Sequence, residues 1–208
     1  MRKLTVAFCA LLTSSSVVYA ESSTTSPAGN ADSGKTKAAV CASCHGEKGN
    51  SANPMWPKLA GQHAEYLVEQ LKAFQSDTRA EPSMTPMAKP LNEQDVLDLA
   101  AYFSSQEGTV GTVAENFVAQ GEKIYRGGNK ETGVPACSAC HGPAGKGNGP
   151  AKYPTLSGQH MAYVKKQLED YKNGARGKTG NPGIMYDIAK KMSTEEIEII
   201  ANYVQGLH

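Results

Sequence analysis

The sequence predicts an all-α protein made of two similar domains in tandem, and three observations predict it. A Cys-x-x-Cys-His-Gly block occurs twice, as Cys41-Ala42-Ser43-Cys44-His45-Gly46 and as Cys137-Ser138-Ala139-Cys140-His141-Gly142, 96 residues apart. The text after each block repeats as well. Nine of the 23 positions from Pro57 to Arg79 are identical to those 97 residues later, where unrelated text would match at about one or two, and a period near 100 is too long for a solenoid unit. Finally, apolar residues recur at helical spacing, and no stretch shows the strict alternation of a half-buried strand.

The elements follow in chain order. Residues 1–20 read as a cleaved secretory leader: Arg2 and Lys3, a mostly apolar run, then Val18-Tyr19-Ala20 before Glu21. The apolar run is too short to span a bilayer, and no later stretch is long enough. Residues 21–33 are rich in Ser, Thr, Ala and Gly and read as a flexible lead-in. A short helix is expected near residues 35–41. Tyr66, Leu67, Gln70, Leu71 and Phe74 predict the next helix, and Asn92 caps a last one carrying Val96, Leu99 and Phe103. The join is expected in Gly108-Thr109-Val110-Gly111-Thr112. The domains are therefore 21–112 and 113–208. The second repeats the plan, with a helix near 115–126, another through Tyr163, Val164, Leu168 and Tyr171, and a last one behind the capping box Ser193-Thr194-Glu195-Glu196.

Without the leader, 188 of the 208 residues remain. Half of that builds only a thin core by itself, so a large buried cofactor in each half would make up the deficit. Cys9 departs with the leader, which leaves two cysteine pairs in an oxidising compartment. Two disulfides would not explain the histidine after each pair. A thiol–disulfide exchange motif would need a βαβ context, and one zinc site would need the pairs far closer together.

Cys-x-x-Cys-His is the attachment signature of c-type haem. Two thiols on one helical turn can add to the two vinyl groups on one edge of a porphyrin. The next histidine then lies below the ring and aims a nitrogen at the iron. Cys41, Cys44, Cys137 and Cys140 are thus the expected attachment points of two haem c groups, with His45 and His141 as iron ligands. Such a histidine commonly donates its other N–H to a carbonyl, and Pro57 and Pro154 stand suitably soon after each motif. Leu59 and Leu156 are expected on the haem face. Arg79 and Arg176 are candidates for pairing haem propionates, with a solvated surface role as the alternative.

Histidine plus methionine is the ligand pair of electron-carrying c-type haems. Met55 and Met161 follow their histidines too closely to cross the ring, so Met84 or Met87, and Met185 or Met192, remain. Aligning the last helices at an offset of 101 places Asn92 on Ser193, Val96 on Ile197 and Tyr102 on Tyr203. That offset carries Met84 onto Met185, but Met87 onto Ile188 and Met192 back onto Leu91. Met84 and Met185 are therefore the expected sixth ligands, and Met87 and Met192 the fillers of apolar space. His63 and His160 are expected as helix-start or surface residues, and His208 as solvated.

The doubled haem motif, the two Pro-x-Leu-x-Gly-Gln-His stretches, Arg126-Gly127-Gly128 and the ending Tyr203-Val204-Gln205-Gly206-Leu207-His208 resemble the di-haem cytochrome c4 family, over nearly all of the chain after the leader. The resemblance implies two class I cytochrome c-like domains, each wrapped around one covalently attached haem, in the periplasm of a proteobacterium. It implies an electron carrier, not an enzyme, passing electrons from the cytochrome bc1 complex towards a terminal oxidase, often of the cbb3 type, and it allows a loose association with the membrane. Two other readings compete: a dedicated subunit of a periplasmic dehydrogenase, and a di-haem peroxidase, which would need a releasable iron position. Nothing reads as a nucleotide loop, a catalytic triad or a nucleic-acid patch, so neither nucleic acid nor a small-molecule substrate is expected. Charge is uneven: residues 21–112 hold seven Lys/Arg against eleven Asp/Glu, a net of −4, and residues 113–208 hold twelve against nine, a net of +3.

Overall fold

The computed structural model describes residues 28–177 and 182–208. The expected leader and residues 21–27 of the lead-in lie outside the described residues, as do residues 178–181. The described residues form ten helices: α1 (Ala31–Lys37), α2 (Ala39–His45), α3 (Ala64–Gln75), α4 (Thr85–Ala88), α5 (Glu93–Ser104), α6 (Glu115–Gly127), α7 (Ser138–His141), α8 (Met161–Asn173), α9 (Pro182–Ala189) and α10 (Thr194–Gln205). Strand-type pairing among the described residues is limited to three isolated bridges, so the helical expectation holds.

Each half crosses its first helix on its last. In the first half α1 lies on α5, with α3 beside it; in the second α6 lies on α10, with α8 beside it. The crossings are close because a glycine stands at each. A Cβ on Gly34 would lie 2.0 Å from the carbonyl oxygen of Asp98, and one on Gly121 would lie 2.5 Å from the Cβ of Tyr203. The first core gathers Leu67, Leu99, Ala100, Tyr102 and Phe103. The second gathers Tyr125, Leu168, Ile197, Ile200 and Val204. Both last helices open on the expected cap. Asn92 and Asp95 form a reciprocal capping box on α5, as do Ser193 and Glu196 on α10.

Two expectations need correction at the start of the chain. The lead-in ends earlier than expected: residues 31–33 are the first turn of α1, capped by Asn30, whose side chain accepts from the Ser33 N–H. Asn30 is itself anchored, its N–H donating to Asp98 at 2.8 Å. The single helix expected near 35–41 is two, α1 and α2, divided at Ala38, which belongs to the core at 2% exposure.

The halves meet through side chains that the repeat had already paired. Arg79 Nη1 donates to Gln70 at 2.7 Å, and its Nη2 reaches Tyr163 at 2.9 Å and Gln167 at 2.8 Å in the other half. Arg176 mirrors this, on Gln167 at 2.6 Å, Tyr66 at 2.9 Å and Gln70 at 2.8 Å. The backbones of Arg79 and Arg176 also form an antiparallel bridge. Each half supplies the same groups to the other, so the contact has the self-complementary logic of a two-fold dimer interface within one chain.

Candidate haem-binding sites

In the first half α2 carries Cys41, Cys44 and His45 on little more than one turn. In the second, Cys137 is the N-cap of α7, which carries Cys140 and His141. The His141 N–H donates to the Cys137 carbonyl at 2.9 Å, so both thiols and the histidine again share one turn. None of the four cysteines is bridged. Cys41 packs against the first core together with Leu59, and Cys137 against the second together with Leu156 and Met185. Burial raises the Cys41 thiol, and it pushes Cys137 up to about 11. Thiol-exchange cysteines show the opposite shift.

Both histidines are held as the sequence reading expected. His45 Nδ1 donates to the Pro57 carbonyl at 2.8 Å, and His141 Nδ1 to the Pro154 carbonyl at 3.0 Å. A carbonyl only accepts, so the proton sits on Nδ1 and the lone pair is left on Nε2. His45 and His141 are 5% and 6% exposed. Burial lowers the pKa of both, against the opposing pull of the carbonyl hydrogen bond. Neutral, oriented imidazole is the form an iron ligand requires.

The proline turns are fixed from behind. The Leu59 N–H donates to Gly49 O and the Leu156 N–H to Gly145 O, each at 2.7 Å. The next segments hang from the last helices: Gly61 N–H donates to Phe103 O and Gly158 N–H to Val204 O, each at 3.0 Å. The same loop geometry is therefore built twice from matching positions of the repeat.

The remaining candidates are placed less symmetrically. Met84 is half-buried at the N-cap of α4, whereas Met185 lies inside α9. Met192 fills the second core at 3% exposure, as expected. Met87 does not fill apolar space; it is 43% exposed, because α4 turns it outward. His208 is exposed, as expected. His63 and His160 do open α3 and α8, but they also cross between the halves. His63 Nε2 donates to Lys146 O and His160 Nε2 to Ser51 O, each at 2.7 Å.

Arg176 is 5% exposed and Arg79 half-buried, so neither has the solvated role weighed as an alternative. Among the described residues neither guanidinium pairs with a carboxylate; their partners are glutamine and tyrosine oxygens. Two desolvated cations side by side call for anions, and haem propionates have that charge. The donor set, the neutral histidines and these cations all fit haem. Sequence reasoning missed the structural use of Gln62, Tyr66, Gln70 and their counterparts, although their identity across the repeat was the signal.

The comparisons agree with this geometry. The family model described as "Cytochrome c" matches residues 31–107 and again 118–208. Cytochrome c4 of Azotobacter vinelandii is 49% identical over 190 residues, covering 87% of this chain and 90% of that one. The structure of reduced recombinant cytochrome c4 from Pseudomonas stutzeri superposes with a TM-score of 0.84 at 46% identity, covering 87% of this chain and all of that one. A protein of Thiomonas intermedia named thiosulfate dehydrogenase electron acceptor is 36% identical, over 81% of this chain and 78% of its own length. Likeness of this extent, in both halves and over a shared structure, makes the chain a member of the cytochrome c4 family, electron-transfer proteins with two c-type haems and no enzymatic role.

Proposed function

We propose that the chain, trimmed to residues 21–208 and exported to the periplasm, carries electrons from the cytochrome bc1 side of a respiratory chain towards a terminal oxidase of the cbb3 type. Residues 21–112 form one carrier domain and residues 113–208 the other. The observation that carries the reading is the pair of buried, neutral histidines, each held by a proline carbonyl with Nε2 left to ligate. Cys41 and Cys44, and Cys137 and Cys140, hold the haems through thioethers. His45 and Met84 ligate one iron, His141 and Met185 the other, and Arg79 and Arg176 neutralise propionates.

Each haem, when bound, supplies one-electron exchange between ferric and ferrous iron. The chain's own residues do the rest. Pro57 and Pro154 keep the imidazoles oriented, so the ligand geometry need not reorganise on electron transfer. The methionine sulfurs raise the potential and occupy the position that peroxide would need, which disfavours the peroxidase reading. The leader read in residues 1–20 supports export to the periplasm. No described helix is long and apolar enough to cross a membrane, and loose membrane association would be through surface contacts.

A second reading is favoured by the likeness to the thiosulfate dehydrogenase electron acceptor: electrons enter from a periplasmic dehydrogenase instead. The test is to purify the mature protein, sequence its N-terminus, extract with acid–acetone and measure reduction by each donor. A start at Glu21, two haems resisting extraction, and faster reduction by the bc1 complex are expected. Extractable haem would sink the attachment reading, and faster reduction by the dehydrogenase would favour the second donor.

A further inference from the structure

Gln62 and Gln159 are not solvent-facing repeats of a loop; they are 7% and 8% exposed and each reaches into the opposite half. Gln159 Oε1 accepts from the Lys58 N–H at 2.9 Å, and its Nε2 donates to the Lys58 carbonyl at 2.9 Å. Gln62 does the same to Thr155, accepting at 2.8 Å and donating at 3.0 Å. Each amide is further steadied by its neighbour: the His160 N–H donates to Gln159 Oε1 at 3.0 Å and the His63 N–H to Gln62 Oε1 at 3.1 Å.

The residues clamped are telling. The Lys58 N–H belongs to the same peptide unit as the Pro57 carbonyl, the acceptor of His45. The Thr155 N–H belongs to the same unit as the Pro154 carbonyl, the acceptor of His141. A peptide unit is one conjugated system. An acceptor on its N–H drives electron density onto its oxygen, and hydrogen bonds in such a chain strengthen one another. A more negative oxygen pulls harder on the histidine N–H and gives the imidazole more anionic, more basic character. That favours ferric over ferrous iron.

We propose that Gln62 and Gln159 are positioning residues that lower the reduction potential of the haem in the opposite half, acting through the Pro154–Thr155 and Pro57–Lys58 peptide units. The proposal rests on the reading of His45 and His141 as iron ligands. It makes the contact between halves part of what sets each potential. A glutamine acting only as adhesive between halves would disturb both potentials alike or neither, so the crossed pattern is the discriminating one.

The experiment uses the full-length protein with both haems, Gln159→Met and Gln62→Met removing the amide while keeping side-chain length. An NMR redox titration follows backbone amides of each half separately, and the shift of each histidine Nδ1 proton is read in the ferrous state. Gln159→Met should raise the potential of the first half alone, changing its ferric-to-ferrous ratio at fixed potential roughly twofold. It should also move the His45 Nδ1 proton upfield. Gln62→Met should do the same for the second half and His141. Gln159→Leu and Gln62→Leu carry the same expectation should a methionine variant fail to fold. With both haems attached, a shift in the substituted half, an equal shift in both, or no shift would overturn the proposal. Loss of an iron-bound imidazole signal in the unsubstituted protein would instead refute the ligand assignment.

Discussion

At the scale of single residues, methionine choice is the sharpest test. Met84 and Met87 sit three residues apart around α4, but Met84 is half-buried while Met87 is 43% exposed. Met84→Ala should abolish the sulfur–iron charge-transfer band of the first half and lower its potential sharply; Met87→Ala should leave both unchanged. The opposite outcome would show that the repeat alignment chose wrongly. A second residue was not legible in the sequence. Asp98 lies among the apolar positions of α5, and its backbone partner, Asn30, is 68 residues away. It is 2% exposed and accepts from Lys37 at 2.6 Å, Asn30 N–H at 2.8 Å and Gln94 at 2.8 Å. Lys37 first, then those two donors, lower its pKa to about 2 from the ordinary 3.8. A carboxylate depressed on folding contributes stability above the unfolded value and loses it as pH falls towards the folded one. Unfolding followed across pH should therefore show a loss between about pH 4 and pH 2 that Asp98→Asn lacks. An unchanged acid slope in the variant would count against Asp98 as its source.

At the scale of elements, the long helices were legible because period and cap agreed. The apolar faces of α3, α5, α8 and α10 follow the helical spacing, and Asn92 and Ser193 mark the starts of α5 and α10. Ser193→Ala should cost ~1 kcal/mol, the usual loss for a serine cap, read as a lower denaturation midpoint with an unchanged slope. What escaped the sequence is what tertiary contact decides. The break at Ala38 follows from its burial in the core, and α4 and α7, at four residues each, are too short to show a period. The role of Gly34 and Gly121 shows only once a second helix lies across them. A methyl group at Gly121 would lie 2.5 Å from the Tyr203 Cβ, and one at Gly34 2.0 Å from the Asp98 carbonyl oxygen. Gly121→Ala should therefore destabilise the second half by ~1–3 kcal/mol, the range for overpacking, despite the better helix propensity of alanine. A stabilised variant would mean that α6 and α10 separate without penalty.

At the scale of the whole molecule, the duplication was legible as identical letters, but not the place where those letters meet. Tyr66 and Gln70 and their copies read only as members of a helix face, and Arg79 and Arg176 as propionate partners or surface residues, because one sequence cannot show that two halves face each other. The structure puts them in one junction, where Arg79 and Arg176 each bond both halves. That junction turns two carriers into one body with unequal ends. Residues 21–112 carry a net side-chain charge of −4 and residues 113–208 one of +3, and propionates make both more negative. Some of these charges are neutralised locally. Lys152 pairs with Glu69 at 3.1 Å and Lys166 with Glu81 at 3.2 Å, both across the junction. Others, such as Lys190 and Lys191 just after α9, stay exposed. A molecule charged in this way aligns in the field of an oppositely charged partner before contact, which raises the encounter rate. The field is screened over about 8 Å at physiological ionic strength and about 3 Å at 1 M. Electron transfer with an acidic redox protein should thus slow steeply as salt is added. Reversing Lys190 and Lys191 to glutamate should flatten that dependence without changing either reduction potential. Stopped-flow rates over an ionic-strength series, for the parent and the double variant, decide it: a parent rate indifferent to salt would rule out steering by the second domain.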